Sequence, residues 1–201
     1  MARTTELEAV NEILMMAGIT EVPDISASTL SNVDEANQAL NMLRRKSREI
    51  QSSGLHCNFE ERVSIAPTAP YDEILVPDDA LQIDISGSRY PDVCFRDGRL
   101  YNLTEHTYIG FSEGVEVDIT YQLDYEELPE HVRRRINIEA GREFVLRYLR
   151  DAELYQFLGK EEQEAKVAFF NGEADSSDYN MLDSWPSNRF LNRSPQLSYR
   201  W

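Results

Sequence analysis

Apolar residues recur at helical spacing at both ends of this chain and alternate with polar ones in its middle. Near the start, Leu7, Val10, Leu14 and Ala17 trace one face of a helix. Thr5-Glu6-Leu7-Glu8 has capping-box spacing, a hydroxyl three residues ahead of a carboxylate, and Gly18 stands where a left-handed residue ends a helix. Residues 19–31, with Pro23 and many small polar side chains, read as a linker. Asn32 offers a second N-cap with Glu35 three residues on. Ala36, Leu40, Leu43, Ser47 and Ile50 then follow in steps of four and three, and Gly54 closes that helix.

The period then drops to two. Leu55, Cys57, Phe59, Val63 and Ile65 alternate with polar residues, and Glu61 alone breaks the set, which predicts a strand. Pro67, Pro70 and Pro77 punctuate a loop around Ile74-Leu75-Val76. Leu81, Ile83 and Ile85 predict another strand. Val93 and Phe95 lead through Asp97-Gly98, a hairpin signal, to Leu100 and Leu103, and Val115, Val117, Ile119 and Tyr121 form the clearest alternation. Helical spacing returns after Leu128-Pro129-Glu130, read as a helix start with proline at the first position. Val132, Ile136, Ala140, Phe144 and Tyr148, widened by Val145 and Leu149, predict a helix of about 22 residues, on the order of 33 Å long. Leu154, Leu158, Ala165, Ala168 and Phe169 predict a fourth helix, in which Gly159 is a weak point.

This order predicts an α+β fold: a four-helix bundle built from the N- and C-terminal helices, with an inserted antiparallel β-sandwich or small barrel. The expected divisions are 1–54 for the first helices, 55–123 for the β domain, 124–175 for the last helices and 176–201 for an extended docking segment. That last stretch carries Tyr179, Met181, Leu182, Trp185, Phe190, Tyr199 and Trp201. From Ser184 onward it has Arg189, Arg193 and Arg200 and no acid. So many aromatics and cations point to a segment that orders on a partner.

Charge narrows the function. Acids outnumber bases by 36 to 20, for a net charge of −16, which repels nucleic acid and anionic membranes. The Arg44-Arg45-Lys46 run could suggest a helix-turn-helix DNA reader, but this charge and the long linker before the second helix argue against it. No apolar run reaches the roughly 20 residues of a membrane span, and the N-terminus lacks the apolar core of a signal peptide, which implies cytoplasmic synthesis. Cys57 and Cys94 are then expected as free thiols. His56, His106 and His131 are scattered, a poor metal set, and no cofactor is expected. No glycine-rich phosphate loop, Gly-x-Ser-x-Gly or His-Glu-x-x-His motif occurs, so no catalytic residues are assigned. A carboxylate pair acting as a glycan hydrolase is the alternative. Glu60-Glu61, Asp78-Asp79 and Glu126-Glu127, however, read as surface charge among 36 acids.

Several stretches resemble one family. Leu7-Glu8-Ala9-Val10-Asn11-Glu12-Ile13-Leu14, Ile50-Gln51-Ser52-Ser53-Gly54 leading into Asn58-Phe59-Glu60-Glu61, Asp124-Tyr125-Glu126-Glu127-Leu128-Pro129-Glu130 and Tyr179-Asn180-Met181-Leu182-Asp183 are similar to the tail tubular protein A of short-tailed bacteriophages, a head-to-tail adaptor or gatekeeper. The resemblance runs from about Glu6 to Asp183. It implies a virion protein made in the host cytoplasm and assembled as a dodecameric ring between the portal and the nozzle protein, tail tubular protein B. Viral DNA would pass through that ring without specific binding. On that reading Arg44, Arg45 and Arg48, and Arg133, Arg134 and Arg135, are candidate partners for a neighbouring subunit's acids, the alternative being ordinary solvated helix faces. The C-terminal aromatics and arginines become candidate portal-docking residues. An independent acidic interaction module is a further alternative.

Overall fold

The Thr5 side chain accepts a hydrogen bond from Glu8 N at 3.2 Å, and Glu8 Oε2 accepts one from Thr5 N at 2.7 Å, closing the capping box that opens α1 (Glu6–Met16). The structure is a computed structural model and describes residues 3–85, 93–111 and 113–176. It is an α+β fold. After α1 come α2 (Ala27–Asn32), α3 (Asp34–Gln51), five strands, α4 (Glu130–Phe144), α5 (Ala152–Phe157) and α6 (Gly159–Ser176).

Helix α4 lies at the centre of the helical part, packing against α1, α3 and α6, while α1 also packs on α3. Ala9, Ile13, Leu14, Leu43, Val132, Ile136 and Phe144 are the heart of this core, each wholly or almost wholly out of water. Burying one such Leu, Ile or Phe contributes about 1.5–3 kcal/mol. Tyr125 joins them from the loop before α4 and hands its hydroxyl hydrogen to Arg133 O.

The strands build a second core. In the three-stranded sheet β5 (Val115–Tyr121) runs antiparallel between β1 (Phe59–Ile65) and β2 (Ala80–Ile85), with Val63 opposite Val117 and Ile83 opposite Ile119. β3 (Val93–Arg96) and β4 (Arg99–Asn102) form a separate hairpin. Asp97 and Gly98 both take positive φ (53° and 71°) at its tip, as a two-residue primed turn requires. Sheet and hairpin share a core of Ile74, Val76, Leu100, Phe111, Val115, Val117 and Ile119. Among the described residues the strands do not close into a barrel. The chain carrying Pro70 and Pro77 meets the hairpin through the single bridge Leu75–Arg99, and prolines cannot extend a ladder there. In β1 the pairing slips between Glu60 and Val63, where Arg62 takes φ 55° and donates its N–H to Asp118 Oδ1 at 2.8 Å. This bulge falls at the one interruption in the strand's alternation.

Several sequence expectations change in detail. The 19–31 linker contains α2, started by Ser26 and Asp24, whose carboxylate accepts from Ser26 N, Ser26 Oγ and Thr29 Oγ1. Asn32 is the last residue of α2 and donates to Ser28 O. α3 instead follows Val33, with no side-chain cap. Residues 55–58 make a turn in which Leu55 N donates to Asn58 Oδ1 at 2.7 Å, so the strand begins at Phe59. Pro129 stands just outside α4 at the cap position, and α4 passes at Val145–Leu149 into a π turn ending on Arg150 at φ 56°. That wider turn rotates Tyr148 and Leu149 off the buried stripe, leaving them 39% and 40% exposed. Asp151 then caps α5, and the chain breaks for one residue at Leu158, immediately before the anticipated weak point at Gly159.

Candidate assembly surfaces

The helical core and the sheet meet at a buried polar junction. Gln51, at the end of α3 and fully buried, accepts from Leu123 N at 2.8 Å and donates through Nε2 to Leu123 O at 3.1 Å and to Ser47 Oγ at 2.8 Å. Asn58, 2% exposed, donates through Nδ2 to Gln51 O at 3.1 Å and Tyr121 O at 2.7 Å. Together they satisfy backbone groups where the chain leaves α3 and where it returns from β5, groups that would otherwise lie buried and unpaired. Glu173 on α6 adds a third tie: its carboxylate meets His131 Nε2 on α4 at 2.9 Å and accepts His56 N at 3.0 Å. Sequence reasoning missed all three. Gln51 and Asn58 are polar residues in patterns that read as solvated, and nothing in their spacing marks them as buried.

Charged side chains on the helices close mostly on carboxylates of the same chain. Arg44 makes two bonds to Glu6, at 2.8 and 3.0 Å. Arg45 reaches Glu143 at 2.7 Å, and Lys46 and Arg147 reach the same carboxylate at 3.4 and 2.5 Å. Burial raises the Glu143 pKa, but Lys46, Arg45 and Arg147 outweigh it, so the carboxyl sits below its ordinary value. Glu162, bonded to Arg142 and Lys166, behaves likewise: burial pushes it up and those cations bring it below normal. Arg135 bonds Glu139 at 2.9 Å and lies 4.3 Å from the Phe169 ring centre. Arg133 is 1% exposed. It donates to Thr4 O at 2.8 Å and meets Glu130 at 3.1 Å, with Nε left unpaired. Arg48 and Arg134 are exposed and make no ion pair among the described residues. Of the six arginines singled out from sequence, then, four have partners within the chain and two make no ion pair among the described residues. Tyr179, Met181, Leu182, Trp185, Arg189, Phe190, Arg193, Tyr199, Arg200 and Trp201 lie outside the described residues.

The exposed apolar side chains among the described residues include two groups. Tyr71, Leu75, Phe95, Leu103 and Ile109 surround the hairpin, and Leu146, Tyr148, Leu149 and Phe157 surround the π turn. Shallow grooves also mark the surface elsewhere. One of about 310 Å³ lies against the sheet between Gly54, Phe59, Gln82, Asp84 and Asp118. Another, of about 330 Å³, lies between α1 and α4 and includes Glu12, Arg133 and Asn137. Burial raises the Glu12 pKa, and the hydrogen bond from Asn137 only partly opposes it. Among the described residues no group of three or more histidine, cysteine and acidic side chains is placed to hold a metal ion. Cys57 and Cys94 are free and half-buried, and burial beside Glu173 pushes the Cys57 thiol up. No helix among the described residues is long and apolar enough to cross a membrane.

A chain whose polar groups lock its two cores together, and whose apolar remainder faces outward, has the character of a structural part of a larger assembly. The family model for tail tubular proteins matches residues 7–179, and the chain belongs to that family, as the sequence resemblance implied. It is 36% identical over 132 residues to tail tubular protein A of Klebsiella phage KP34, a match covering 63% of this chain and 63% of that protein. The protein is thus a structural component of a bacteriophage tail.

Proposed function

We propose that this chain is the ring-forming adaptor that joins the portal to the tail nozzle protein and lines the channel through which DNA leaves the head. The supporting observation is the way its charge is disposed. Arg44, Arg45, Lys46, Arg99, Arg135, Arg142, Arg147 and Lys166 each close on a carboxylate of the same chain, within a protein of net charge −16. The surplus facing outward is acidic. A bore of that sign repels phosphate and lets a duplex slide instead of holding it.

In this reading the helices of 1–54 and 124–175 form the body of each subunit, residues 55–123 an accessory β unit, and 176–201 an arm that docks on the portal. The role is mechanical, with no chemistry of its own. Electron microscopy of the purified chain mixed with portal rings tests it. A closed annulus seated on the portal is the expected result. A chain that binds the portal without closing, or an annulus with a cationic bore, rejects it.

A further inference from the structure

We infer that copies of this chain join head to tail, the π turn after α4 of one copy seating in the acidic groove beside Gly54 of the next. This rests on the annular reading above and specifies which two surfaces meet.

The π turn has the form of a knob. Leu146 and Leu149 are 39% and 40% exposed, Arg147 projects between them, and Arg150 ends the turn in the left-handed conformation. Arg45, Lys46 and Arg147 all reach the Glu143 carboxylate, and Lys46 also closes on Glu49 at 2.9 Å; Arg147 stays 58% exposed, and Arg150 is exposed with no ion pair among the described residues. On the other side Glu35 accepts the Tyr148 hydroxyl at 2.8 Å and Asp151 caps α5, with Asp34 close by. What the turn offers outward is therefore leucine flanked by guanidinium.

The groove is its complement. Phe59, 42% exposed, gives an apolar wall; Asp84 and Asp118 supply two carboxylates, and no cation is in the lining. Knob and groove sit at different points along α3. Tyr148 fixes the turn to Glu35 at its start, whereas Ser53 and Gly54 of the groove follow its last residue. The Tyr148 anchor at Glu35 stands about 24 Å along α3 from Gln51, so the turn and the groove are separate surfaces. Two unlike, complementary surfaces on every copy define a heterologous contact, the kind that closes into rings.

Charge swapping tests it. The knob variant R147E/R150E and the groove variant Q82K/D84K are each assembled alone, and then mixed in equal amounts. Native mass spectrometry and sedimentation follow the free chain and the chain on portal rings. Each variant alone should need at least about tenfold more protein to assemble than the wild type. The mixture should recover, because every knob then faces a groove of opposite sign. An independent check is the chain carrying L149C with Q82C, which on oxidation should give a ladder of covalent multimers absent from either single substitution.

If the wild type closes and both variants close equally well, or no ladder forms, the assignment of these surfaces fails while the annulus stands. If the wild type closes under neither condition, the annular reading fails, and this inference with it.

Discussion

Gln51 grips Leu123 by both of that residue's backbone groups, accepting from its N–H at 2.8 Å and donating to its carbonyl at 3.1 Å. The last turn of α3 is thereby fastened to the chain leaving the sheet, 72 residues later in sequence. Replacing Gln51 with leucine keeps the bulk but leaves both Leu123 groups and Ser47 unpaired in a buried place. Q51L should cost about 2–4 kcal/mol, read as a lower urea midpoint with an unchanged slope.

Glycine substitutions on two helices should part company. A Cβ at Gly172 would sit 2.5–2.8 Å from the His131 ring, which Glu173 holds in place. At Gly141 the obstacle is the Met16 sulfur, the far end of a flexible side chain. Alanine favours the helix by about 1 kcal/mol at either position. G141A should therefore be close to neutral, while G172A should destabilise by about 1–3 kcal/mol in thermal unfolding.

Acid should loosen the helical part. Glu130, Glu143 and Glu162 are all held below the ordinary carboxylate value: Glu130 chiefly by Thr4, the other two by cations that overcome burial. A carboxyl with a depressed folded-state pKa contributes its stability in full above its unfolded value of about 4.5, and loses it as pH falls through the folded value. Stability should thus decline from about pH 5 downward. E143Q should flatten that acid limb, measured as unfolding free energy at a series of pH values.

Arg133 separates packing from assembly. With Thr4 and Glu130 as its partners and one nitrogen unpaired, it carries the cost of a buried charge. R133M keeps the volume and removes that cost, so stability should change by less than about 1 kcal/mol, and assembly should persist. R133A leaves a void and should lose about 2–4 kcal/mol. Loss of assembly in R133M with the fold intact would show that this arginine does reach a neighbour.

Removing Ser184–Trp201 deletes three arginines and two tryptophans. Portal binding should disappear while circular dichroism and melting temperature stay put. Retained binding would move the docking site elsewhere on the chain.

What could be read from sequence was whatever local chemistry determines. Thr5 and Glu8 cap each other, and Asp97-Gly98 turns the hairpin, because both features depend on neighbours in the chain. The stripe from Val132 to Phe144 is buried as its spacing predicts. It fails at Tyr148 and Leu149, where a π turn changes the pitch on which the extrapolation relied. Leu55 and Cys57 fit the strand alternation but belong to a turn, since Asn58 bonds back to Leu55 and across to Tyr121. Such long-range polar ties leave no periodic trace, so Gln51, Asn58 and Glu173 emerge only from the fold. The arginine clusters were visible, but whether each faces an internal carboxylate or water depends on helix rotation, which composition does not encode.

The kink at Arg62 has a consequence for crowding. β1 is, like β2, an outer strand of its sheet, and with Glu60 and Glu61 beside the kink its free amides are poorly placed to line up with those of another molecule. In a crowded assembly a straight, uncharged rim there would invite strand-to-strand zippering into fibres. One misfit residue makes that edge a poor template for polymerisation.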